Sequence, residues 1–122
     1  MRELIRPLQP QAEYYFEEGC HINELSNSAD DGAVSLALAR VTPGVATHWH
    51  RLRDIAERYV ILSGKGRVEV GELPPQEVRH GAVVLIPPHC RQRITNIGDE
   101  DLVFLAICSP RFRPEAYEDI ED

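Results

Sequence analysis

Apolar residues in this chain come in short runs, mostly alternating with polar ones, and glycine, proline and asparagine interrupt them at close intervals. Alternation at a spacing of two puts one face of a segment into a core and the other into solvent, the pattern of a half-buried β-strand. The segments that read as strands are Tyr14 to Phe16, His21 to Leu25, Ala33 to Val41, Arg58 to Leu62, Gly66 to Val70, Gln76 to Arg79, Ala82 to Ile86, Arg91 to Thr95 and Leu102 to Ile107. Turn chemistry separates them: Asp30-Asp31-Gly32, Pro43-Gly44, Ser63-Gly64-Lys65-Gly66, Leu73-Pro74-Pro75, His80-Gly81, Pro87-Pro88 and Asn96-Ile97-Gly98-Asp99. No amphipathic helix is predicted. The acidic tail from Pro110 is expected to hold one helical turn near Glu115 to Tyr117 and then to fray. The class that follows is all-β, a sandwich or barrel of short strands.

Two segments depart from alternation. Ala82 to Ile86 and Leu102 to Ile107 are apolar on both faces, whereas an antiparallel strand with one wet face should alternate. Their outer faces need a cover. A second copy of the chain supplies one, giving a homodimer; the N- and C-terminal arms are the alternative.

Composition narrows the function classes. A chain of 122 residues suits one domain, with an arm and edge strands over 1–30, a barrel over 31–109 and a tail over 110–122. The net charge of −7 argues against nucleic acid, which needs a concentrated basic surface. No apolar run is long enough to cross a bilayer, and the charged stretch Met1 to Pro10 lacks a signal-peptide core, so the expected location is the cytoplasm with no membrane partner. Cys20, Cys90 and Cys108 are odd in number and form no C-x-x-C, so free thiols are expected.

Candidate chemistry begins at His48-Trp49-His50, after the Pro43-Gly44 turn. In an extended segment His48 and His50 share a side, and two imidazoles on one side can grip one ion. Glu57 opens the next strand, which closes at Gly64. Parity groups Glu57, Tyr59 and Ile61 on one face, and Cys90, Gln92 and Ile94 on another, with Arg91 and Arg93 turned away.

These stretches resemble the two motifs of the cupins, specifically the cupin type-2 conserved-barrel family. His48 and His50 match the His-x-His of the first motif, and Glu57 with Gly64 match its glutamate and closing glycine. The segment between His50 and Glu57 is longer than the motif asks, which leaves Asp54 as a rival carboxylate. Gly81, Pro87 and Asn96 match the second motif, but its histidine is replaced by Gln92, with His89 nearby as a substitute. The resemblance implies an antiparallel double-stranded β-helix, a jelly roll, holding one divalent ion (Fe, Mn, Ni or Zn) on His48, His50, Glu57 and Gln92. Tyr59, Ile61, Cys90 and Ile94 would line a pocket for a small-molecule ligand. The family spans oxygenases, sugar-phosphate isomerases and non-catalytic binding barrels, so the motifs imply a site without choosing a reaction and assign no catalytic residue.

Overall fold

The computed structural model describes residues 1–121. Its strands are β1 (Tyr14–Phe16), β2 (Cys20–Ser26), β3 (Ser35–Val41), β4 (His50–Leu52), β5 (Ala56–Ser63), β6 (Gly66–Val70), β7 (Gln76–Val78), β8 (Val83–Ile86), β9 (Gln92–Asn96), β10 (Leu102–Ser109) and β11 (Tyr117–Asp119). They form two antiparallel sheets, one ordered β1-β2-β3-β10-β5-β8 and the other β11-β4-β9-β6-β7. The expected double-stranded β-helix is the observed architecture. Among the described residues no helix is long and apolar enough to cross a membrane.

Alternation sorts the side chains as the sequence predicts. Along β5, Glu57, Tyr59 and Ile61 are buried while Arg58 and Val60 are only partly so. Along β9, Gln92, Ile94 and Asn96 are buried, and Arg91 and Arg93 lie outside over the Trp49 ring, at 4.7 and 4.5 Å from its centroid. Val41, Ile61, Ile94 and Leu102 have no exposed surface and centre the main core. Leu52, Ile55, Cys108 and Ala116, with Phe112 and Tyr117 against them, form a second cluster. Gly64 lets β5 turn into β6: its φ is +86°, and a Cβ there would meet the Asp101 carbonyl oxygen at 2.5 Å. No other residue fits that approach.

Two strands were not expected. The tail does not fray after its turn at Pro114–Ala116 but continues as β11, paired with β4 through Tyr117↔Leu52, Glu118↔Arg51 and Asp119↔His50. The outer face of β8 stays open, with Val83 59% and Leu85 68% exposed. The N-terminal arm lies against β2 instead, where the Asn23 side chain donates to the Gln9 carbonyl at 2.9 Å, and Arg6 pairs with Asp30 in the turn beyond β2 at 3.0 Å.

Candidate functional site

The site lies between the two apolar clusters. β4 meets β9 at a single pair, His50↔Gln92, which sets both side chains on the same side of the sheet. His50 is 2% exposed, and its Nδ1 sits 2.6 Å from the carbonyl oxygen of His48. A carbonyl only accepts, so Nδ1 carries the proton. Burial holds the His50 pKa below its ordinary value, so the ring is neutral and its Nε2 presents a lone pair. That nitrogen faces Glu18 Oε2 at 3.6 Å.

Glu57 comes from β5, opposite Cys108 on β10. Its Oε2 accepts from the Cys108 thiol at 3.8 Å, and its Oε1 is sealed from solvent with no hydrogen-bond partner. Burial raises its pKa to about 7; the nearby His50 opposes this and Glu18 adds to it. Glu18 stands in the turn between β1 and β2, and burial raises its pKa to about 7 as well. The site therefore holds two carboxyl groups poised near neutrality beside one neutral imidazole.

Gln92 is fully buried on the predicted side. Its Oε1 accepts a hydrogen bond from the Tyr59 hydroxyl, and its Nε2 has no partner. Its amide lies close enough to Glu57 to favour the ionised carboxylate, without reaching hydrogen-bond geometry.

Other expected residues fall elsewhere. His48 precedes β4, and its Nδ1 pairs with Asp119 of β11 at 2.9 Å, on a side chain 45% exposed. That contact raises the His48 pKa. Asp54 and His89 both adopt left-handed backbone, with φ of 61° and 66°, and pair with each other at 3.0 Å in the open. Neither approaches the cluster as a rival ligand, because each occupies an exposed turn.

A cavity of about 60 Å³ adjoins Glu57 and Cys108 against the larger sheet. Glu18, Glu24, Tyr14, Phe16, Ile22 and Phe112 are among its walls. Tyr59, Ile61, Cys90 and Ile94 do not line it. Parity set Tyr59, Ile61 and Ile94 inward correctly, but all three are packed into the main core. Cys90 lies in the turn before β9, half-buried, its Sγ near Gly71.

The donors do not fit a metal ion as arranged. Asp119 holds His48 at the rim, and Tyr59 occupies the oxygen of Gln92. Among the described residues no three His, Cys, Asp or Glu side chains are placed to hold one ion. Glu18, which sequence reasoning missed, takes the place beside His50 that His48 was expected to fill. A glutamate in the polar turn Glu17-Glu18-Gly19 gives no local sign of burial.

Comparison with known proteins agrees with the fold. Glucose-6-phosphate isomerase of Pyrococcus horikoshii is 43% identical over 65 residues, which is 49% of this chain and 34% of that protein. The chain thus spans about a third of the length of the first curated relatives it matches. Protein MJ1618 of Methanocaldococcus jannaschii is 34% identical over 110 residues, covering 88% of this chain and 85% of that one. A cupin 2 conserved barrel domain protein from Salinispora arenicola superposes with a TM-score of 0.73 at 21% identity, over 89% of this chain and 90% of that chain. The family model of the Cupin domain matches residues 37–108, more than half of the chain, so the chain belongs to the cupin family.

Proposed function

We propose that this cupin transforms a small organic molecule by proton transfer, with Glu57 as the group that takes and returns the proton. The observation that carries the reading is Glu57 itself: a buried carboxyl with a pKa near 7, one unpartnered oxygen and a cavity against it. A group of that pKa is half ionised at neutral pH and serves as base or acid. Glu18 and His50 form the neighbouring proton store. The His50 Nε2 accepts a proton, and the protonated Glu18 supplies one. The Cys108 thiol orients the Glu57 carboxyl. Proton transfer next to a carbonyl is the class of chemistry an isomerase performs, in keeping with the isomerase relatives. Their sugar phosphate fits this cavity poorly, because no lysine or arginine lines it.

One observation favours a second reading, a divalent ion bound to the same residues. Donation from the other ring nitrogen to a backbone carbonyl is how metal-binding histidines are oriented, and His50 shows it. For that reading His48 would have to leave Asp119. An oxygenase on a two-histidine, one-carboxylate face needs the same rearrangement.

The test is solvent deuterium labelling. The protein, with and without prior chelation of metals, is incubated with a mixture of small metabolites in heavy water and the products are read by mass spectrometry. Deuterium should enter one class of compound at a carbon-bound position with the native chain, chelated or not, and fail to enter with Glu57→Gln. Labelling undiminished in Glu57→Gln would refute the role of Glu57. Labelling lost on chelation and restored by a divalent ion would replace it with the metal reading.

A further inference from the structure

Beside Glu57 the cavity has a composition that acid–base chemistry alone does not require. Its walls carry three carboxyl groups, Glu18, Glu24 and Glu57, and three aromatic rings, Tyr14, Phe16 and Phe112. Among the described residues no lysine, arginine or histidine lines it. Glu57 is only 9% exposed, and its Oε1 has no donor. A buried acceptor left in that state is costly until a donor reaches it. The rings add a second attraction for positive charge, since aromatic faces are electron-rich. Phe16 meets Phe112 edge to face at 6.4 Å and Tyr117 at 5.0 Å. Glu24 sits at the mouth, held by the Tyr14 hydroxyl at 3.0 Å. The net charge of −7 draws cations from a distance. A phosphate or carboxylate entering here would meet charge of its own sign.

Size and the missing donor sharpen the chemistry. At roughly 10–15 Å³ for each water-sized group, the cavity takes about four to six of them. A quaternary ammonium brings charge without an N–H. A neutral alcohol brings a donor without charge. A primary ammonium on a short alkyl chain brings both, with methylenes for Ile22, Ala106 and the rings.

We propose that this cavity binds the primary alkylammonium group of its ligand, which donates to the Glu57 carboxyl while Glu24 supplies charge at the exposed edge. The inference rests on the proton-transfer reading in placing the ligand at Glu57, and it deepens that reading by naming the substrate class as small organic amines. The probes are n-propylammonium, tetramethylammonium, 1-propanol and propionate, titrated calorimetrically into the full chain at matched ionic strength. Propylammonium should bind at least about ten-fold more tightly than propanol or tetramethylammonium, and propionate should give no heat of binding. Glu57→Gln should weaken propylammonium binding about ten- to a hundred-fold, the worth of a hydrogen bond to a charged group. Glu24→Gln, at the exposed mouth, should weaken it less. Propanol binding as tightly as propylammonium, binding of propionate, or no heat with propylammonium would each overturn the proposal. Should Glu57→Gln fail to fold, the four probes on the native chain and Glu24→Gln still decide it. The two readings fail separately. Amine binding lost in Glu57→Gln with deuterium labelling intact removes the proton-transfer role and keeps the amine site. Labelling lost with no preference for the amine does the reverse.

Discussion

Replacing Glu57 by glutamine changes stability in a way that depends on pH, and the direction is fixed by where the carboxyl sits. Its pKa rises from 4.5 to about 7 on folding, chiefly because burial penalises the charged form. Between those values the folded chain holds a proton that the unfolded chain has released. Folding is therefore favoured most at and below pH 4.5, and that contribution is lost as pH rises through 7. Glutamine is neutral throughout and nearly the same shape, so the variant escapes the loss. A shift of this size is worth about 3 kcal/mol once both forms are ionised, of which roughly 2 to 3 kcal/mol develops between pH 5 and pH 8. Urea unfolding of both proteins at pH 5, 6, 7 and 8 measures the difference directly. Glu57→Gln should gain little over the native chain at pH 5 and about 2 kcal/mol or more at pH 8. His50 slopes the other way, because its pKa is lowered on folding and stability from that group is lost as pH falls below its unfolded value near 6.5. It is present in both proteins, so only its coupling to the Glu57 charge, which the substitution removes, enters their difference. A difference that does not grow with pH would mean that Glu57 ionises as freely in the fold as in water, and the proton-transfer reading would lose its basis.

Two further outcomes are expected. Asp119→Asn should lower the His48 pKa toward the ordinary histidine value while leaving His50 buried and neutral, since Asp119 is the largest cause of the His48 shift; proton NMR of the two imidazoles against pH reads both, and an unmoved His48 would place Asp119 elsewhere in solution. We also expect a homodimer closed over the outer faces of β8 and β10, where Val83 and Leu85 are exposed and Val103, Leu105 and Ile107 half-buried; sedimentation should show a dimer at micromolar concentration that Leu85→Glu dissociates, and a native monomer would rule it out.

Short apolar or alternating runs bounded by turn residues were enough to locate nine of the strands, even the three-residue β1 and β7. β4 and β11 escaped for a common reason. His50-Arg51-Leu52 and Tyr117-Glu118-Asp119 are three residues each in charged surroundings, and their strand geometry comes mainly from pairing with each other across the sequence. Parity also oriented Tyr59, Ile61, Gln92 and Ile94 correctly, yet parity says nothing of depth. Ile61 and Ile94 lie in the packed middle of the barrel, while the cavity opens at the Glu57 and Cys108 level. The His-x-His pair was legible as a pair, but one member is buried and the other is held at the rim by a strand that the sequence did not reveal. Glu18 was invisible because its burial is tertiary: the turn before Gly19 folds back so that the Glu18 carbonyl accepts the His48 amide at 2.7 Å, which brings the carboxyl over His50.

The thin attachment of β4 has a consequence for the order in which the molecule assembles. β4 shares one pair with β9 and three with β11, and the amides of Arg53 and Ile120 close the same junction through the carbonyls of Ala116 and Trp49. A chain emerging from the ribosome makes His50 before it has reached the middle of the barrel and Asp119 only after the strands between them. Closing so long a loop is entropically slow. The larger sheet can pair its strands first, but the imidazole has no settled seat until the tail docks. The polar cluster is thus a late-built part of a barrel whose core is already formed, and the same weak junction makes it the first region to open when the native state fluctuates.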